Sequence, residues 1–166
     1  MLHAWEPVFE ITGPIGAQLI GLLFVVVTIG TSLSPSRALS AIHAFVTPTV
    51  VNFSSVLFQA IVALSPWPSD GPPGVLLALI GLAGLAYGIF AMGRRRRATR
   101  LHGMDWMAHN GAPLVANIVL VCGGVGLMFK SEFAPYAIAG GSTLLLTAGL
   151  YGAWEVALWA LQSRGP

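Results

Sequence analysis

Five apolar runs, each about 20 residues long or more, alternate with short polar connections along the 166 residues of the chain, which is the pattern of membrane-spanning helices. The runs extend over about Val8–Leu33, Ala38–Leu64, Val75–Met92, Gly111–Phe129 and Pro135–Leu161. The pattern predicts an all-α integral membrane protein, a bundle of five transmembrane helices. The connections leave no room for a separate soluble domain, so residues 1–166 form one transmembrane domain.

Each run carries its own punctuation. Pro14 falls in the first turns of run one, where a missing N–H does least harm. Gly13, Ala17 and Gly21 recur at every fourth residue there, a small-residue groove of the kind that lets helices approach closely. Run two opens after Ser34-Pro35, a capping serine and a first-turn proline. It is the most polar of the five. At about 100° per residue, His43, Thr47 and Ser54 share one face and Thr49, Asn52, Ser55 and Gln59 another, so this helix belongs inside the bundle. Pro48 should kink it and free the Ala44 carbonyl. SPWPSDGPPG, residues 65–74, reads as a stiff turn with Trp67 at the membrane surface. Gly81, Gly84 and Gly88 give run three a packing stripe, and Gly149, Ala153 and Ala157 do the same for run five.

The long polar segment Gly93–Asn110, GRRRRATRLHGMDWMAHN, fixes the orientation. Arg94, Arg95, Arg96, Arg97 and Arg100 are five of the eight basic residues, and basic residues near spans stay in the cytoplasm, against anionic lipid head groups. With this loop inside, five spans place the N-terminus outside and the C-terminus in the cytoplasm. Seven of the eight basic residues then lie inside, and only Lys130 outside. The N-terminal MLHAWEPVFE lacks a basic region and carries Glu6 and Glu10, so the first run reads as a retained span.

Composition agrees with this reading. The chain is 55% hydrophobic and 8% charged, against roughly 25% charged residues in soluble domains. It is a multi-pass cell-membrane protein in this reading, of a bacterial inner membrane. The basic cluster lacks aromatic interleaving, which argues for lipid and against nucleic acid as its partner. Cys122 is the single cysteine, so an internal disulfide and a multi-cysteine metal site are excluded.

Gly16-Ala17-Gln18-Leu19-Ile20-Gly21-Leu22-Leu23-Phe24-Val25, with Arg37-Ala38 behind it and Trp154-Glu155 in the last span, resembles a group of largely uncharacterised small five-span bacterial membrane proteins. Some of these are labelled as modulators of a membrane-anchored AAA protease. The resemblance implies the same five-span topology; His43 and Thr47-Pro48-Thr49 stand outside it.

The chain has no Gly-x-Ser-x-Gly elbow, no His-Glu-x-x-His helix and no phosphate-cradling loop with its lysine, which disfavours an enzyme. His102, Met104, Met107 and His109 are soft metal-ligand types, yet in a helix the histidines and methionines diverge, and an interfacial segment explains them better. Glu155 is the ionisable residue that stands out, since a charge within a span is costly and has a partner or a task. Depth counted from the cytoplasmic ends puts Glu155, Asn117, Tyr87, His43 and Thr47 in one polar layer, a candidate ligand or proton site. Snorkelling of Glu155 to the interface is the competing reading.

These features lead to a non-catalytic partner or regulatory subunit, associating with itself or with another membrane protein through Gly13, Ala17 and Gly21 or through Gly84 and Gly88. An oligomeric channel or transporter using the polar layer is the alternative. A haem-binding redox subunit is a further one, although His43 is the only histidine inside a span and one chain cannot supply two axial histidines from its spans. No cofactor and no metal is expected.

Overall fold

The computed structural model describes residues 2–33, 46–96 and 111–162. These residues are all helical apart from short turns. A 3-10 turn, Leu2–Trp5, leads into α1 (Glu6–Leu33); α2 (Thr47–Leu64), α3 (Gly71–Arg96), α4 (Ala112–Met128) and α5 (Ala134–Gln162) follow. The described helices overlap the five predicted runs, although the start of run two at Ala38 lies outside the described residues, and two details differ. The run 71–74 is the first turn of α3 and not part of the preceding turn. Pro72 and Pro73 sit where helical N–H groups have no intrahelical partner, so they start the helix at no cost; the Gly74 N–H already donates to the Asp70 carbonyl at 3.2 Å. In α2, Pro48 lies in the first turn of the described helix, and Ala44 is outside the described residues.

Glycine contacts set the packing. A Cβ on Gly13 would meet Ala60 at 2.7 Å, and one on Gly16 would meet the Phe53 carbonyl at 3.1 Å, so α1 and α2 run antiparallel in close contact. Gly74 and Gly124 face each other, Gly81 faces Val121, Gly84 faces Asn117 and Gly88 faces Leu114, which zips α3 to α4 antiparallel over four turns. Gly123 against Ile138, and Gly141 against the Ala116 carbonyl, pair α4 with α5. In lipid there is little hydrophobic drive between helices, so contact distance decides the attraction, and missing side chains bring the backbones together.

α5 closes the assembly. It packs on α4, α2 and α1, seating Phe53 of α2 over Gly149 and Thr49 over Gly152. Leu23 of α1 and Val156 of α5 share a cluster with Val46, and Phe9 and Ile138 share the main core with Leu77, Leu120 and Leu127. Early residues of α1 thus meet early residues of α5, and late meet late, so these two helices run parallel. Chain direction alternates through all five helices.

The α4–α5 connection shows how tightly the ends are built. The Ser131 N–H donates to Gly126 O at 2.9 Å and the Lys130 N–H to Leu127 O at 3.1 Å, with Lys130 at φ 55°. This is a Schellman closure whose left-handed position holds a lysine in place of the usual glycine.

Candidate functional site

Two layers of described polar residues bear on the candidate site. The first lies in the middle of the bundle. Gln59 of α2 and Ser142 of α5 are fully buried, and Asn117 of α4 is 4% exposed. The Ser142 hydroxyl lies 2.5 Å from Gln59 Oε1 and 2.9 Å from the Ile138 carbonyl, and donates its one proton within that pair of acceptors. Asn117 Nδ2 donates to the Pro113 carbonyl at 2.7 Å. Its amide covers the Gly84 Cα so closely that a side chain there would have to push the Asn117 amide aside. Three side-chain atoms at this level are buried without a hydrogen-bond partner among the described residues: Thr12 Oγ1, Gln59 Nε2 and Asn117 Oδ1. A buried polar atom left unpaired costs about 1–3 kcal/mol, so three of them in one small bundle are conspicuous.

The second layer lies toward the arginine-bearing ends. Thr49 seats on Gly152, and stepping along the two antiparallel helices brings half-buried Thr47 to about the height of Glu155. Glu155 is half-buried, between exposed Trp154 and buried Val156. It continues the stripe of Leu144, Ala148 and Tyr151, at the edge of the α5 contact face.

The single layer expected from depth counts is therefore corrected. Gly141 lies against Ala116 and Leu120, which makes Asn117 level with Gly141, fourteen residues before Glu155 and roughly 20 Å away along the helix. The counts assumed that every helix begins at one plane. α4 has 17 residues and α5 has 29, and Ala112 at the start of α4 is level with the middle of α5, where the two helices line a common groove. Half-buried Tyr87 lies one turn beyond Gly84 and so near the height of Asn117, in the first layer. His43, Arg97, Arg100, His102, Met104, Met107 and His109 lie outside the described residues, as do the side chains of Arg94, Arg95 and Arg96.

The proposed packing residues divide likewise. Gly13, Gly84 and Gly88 are taken up by contacts within the chain, whereas Ala17 is exposed and Gly21 has open space above its Cα. Sequence reasoning passed over Ser142 and Thr12. The available signal was a hydroxyl inside an otherwise apolar or glycine-rich stretch, at a spacing that turned out to match Gln59.

Two apolar grooves flank the outer face of α5. One, of about 580 Å³, lies between α1 and α5 and is lined by Leu19, Leu22, Val26, Leu150 and Trp154 among others. The second, of about 570 Å³, lies between α4 and α5, from Ala112 to Leu144 and Ala148. Thr147 and Tyr151 border both. The Thr143 and Thr147 hydroxyls on this face donate to the carbonyls one turn back, each at 2.9 Å, so they present methyl groups outward.

Among the described residues no group of three or more His, Cys, Asp or Glu side chains is placed to hold a metal. Among the described residues three helices, Leu2–Ile29, Thr47–Leu64 and Gly71–Gly93, are long and apolar enough to cross a membrane, and Ala112–Met128 is a shorter apolar helix. No family model matches the chain, and no curated protein or solved structure is significantly similar to it.

Proposed function

We propose that the chain is a non-catalytic membrane subunit that crosses the bilayer five times and engages another membrane protein through the outer face of α5. The observation that carries this reading is the pair of grooves beside α5. A lipid-facing helix surface needs no concavity, whereas a partner helix gains its attraction from packing into one. The resemblance of the first and last spans to small five-span bacterial membrane proteins supports the same reading.

A photo-crosslinking residue at Leu150 or Leu22 in native membranes should give one discrete adduct, and the same residue at Phe90, on exposed α3 surface, should not. Equal labelling at all three positions would leave the grooves with lipid alone.

For the topology, the edge-to-face pair of Trp5 and Tyr136, with ring centroids 4.6 Å apart, supports an aromatic belt at the outer surface. A hydrocarbon core about 30 Å thick takes roughly 20 helical residues. Counting from Tyr136 reaches Val156, which puts Glu155 at the inner boundary, where a half-buried carboxylate is tolerated and can snorkel. With Cys122 replaced by alanine, single cysteines at Ser69 and Thr99 should react with an impermeant thiol reagent from opposite sides of the membrane, Ser69 from outside. Reaction of both from one side would break the five-span assignment.

A further inference from the structure

We infer that Thr12, Gln59 and Ser142 hold a single internal water molecule at the junction of α1, α2 and α5. Three observations bring these residues together. Gly13 touches Ala60, so Thr12 and Gln59, each one residue earlier on antiparallel helices, stand about 3 Å apart in height and on the same flank of the contact. Thr12 lies eleven residues, about three turns, before Leu23, and therefore on the same stripe of α1. Leu23 lines the groove between α1 and α5 and shares a cluster with Val156, so that stripe faces α5. Ser142 is fourteen residues, about four turns, before Val156 and bonded to Gln59. The three side chains converge where the three helices meet.

Their hydrogen-bonding capacity defines what fits. Gln59 is fully buried, its Oε1 is engaged by Ser142, and its Nε2 offers two unpaired N–H donors. Thr12 is 8% exposed and its hydroxyl, which can donate or accept, is unpaired. Ser142 keeps a free lone pair after giving up its proton. A water oxygen accepts from Gln59 Nε2 while its protons go to Thr12 Oγ1 and Ser142 Oγ, which supplies the two to four polar partners that internal waters have. A cation finds no charged ligand here, and an anion finds no countercharge, so the ligand class is a small neutral molecule with both donor and acceptor capacity.

The test uses the whole chain in lipid nanodiscs with glutamine labelled at its side-chain nitrogen. The chain contains three glutamines, Gln18, Gln59 and Gln162; Gln59→Met identifies the Gln59 amide signal by its loss. Should that variant not fold, replacing Gln18 and Gln162 together leaves Gln59 as the sole labelled amide. A magnetisation-transfer cross-peak from a long-lived water to the Gln59 amide protons is expected, and Thr12→Val should remove or strongly weaken it without unfolding the protein. The absence of a water cross-peak in the unmutated protein, or a direct cross-peak to the Thr12 hydroxyl in its place, overturns the inference. So does a Thr12→Val chain that melts higher than the parent, because that is the behaviour of an unpaired hydroxyl in a dry site.

Discussion

Gly124→Ala lowers the melting temperature of the solubilised protein, while Gly140→Ala raises it slightly or leaves it unchanged. A Cβ on Gly124 would lie 2.6 Å from the Ala78 nitrogen, 2.7 Å from the Gly74 carbonyl and 3.0 Å from the Ala78 Cα. All three are backbone atoms of α3 and cannot rotate aside. α3 and α4 must therefore separate, and the separation is felt along the whole glycine zipper down to Gly88. Overpacking a close contact costs about 1–3 kcal/mol, and rigid obstacles put this site at the upper end. Alanine gains roughly 1 kcal/mol over glycine in a helix, which leaves a net loss of roughly 2 kcal/mol. Gly140 has nothing within 4 Å of its hypothetical Cβ, so only the helix-propensity gain remains there. Equal melting temperatures for the two variants would mean that the Gly74–Gly124 contact does not form.

Phe53→Ala has the second large effect expected. Its ring is fully buried and rests on Gly149, whose hypothetical Cβ would meet the ring at 2.5 Å. Truncating a buried phenylalanine costs about 3–5 kcal/mol in soluble proteins, partly through transfer to water and partly through the cavity left behind. In a bilayer the separated helices remain in an apolar medium, so the transfer part largely drops out, and the loss falls near the lower figure. The contact also supplies its own check. Gly149→Ala alone should be destabilising, since it collides with the ring, but in the Phe53→Ala background the added methyl enters the cavity. The two changes together should cost less than their sum by about 1 kcal/mol or more; additive melting shifts would separate the residues.

The helices were legible because each leaves a long apolar run with proline or glycine near its ends, and local chemistry decides where a helix starts. The pairing was partly legible. Gly81, Gly84 and Gly88 repeat at helical spacing, which marks a contact face, but the spacing does not say which helix meets it. Gly13 and Gly21 have the same signature, yet one is pressed on Ala60 and the other faces open space, because each four-residue step turns about 40° around the helix and leaves Gly21 roughly 80° from Gly13. The candidate layer was the least legible part. Asn117 and Glu155 are each about six residues from the end of an apolar run, and only the offset between a short α4 and a long α5 reveals that they stand at different heights. Such offsets belong to tertiary structure, and nothing local in the sequence encodes them. Gln59 and Ser142 illustrate the same limit, being 83 residues apart in the chain and in contact in the fold.

The parallel pairing of α1 and α5 bears on how the molecule comes into being during synthesis. α1 with α2, and α3 with α4, can each dock as an antiparallel hairpin as soon as its second member leaves the translocation machinery. The shelf formed by Phe53 and Thr49 must wait for the final segment, as must the buried amide of Gln59. A nascent chain that has emerged only as far as Met128 consequently offers a cleft with an unpaired amide and two projecting side chains, Phe53 and Thr49, whose glycine seats on α5 are still to come.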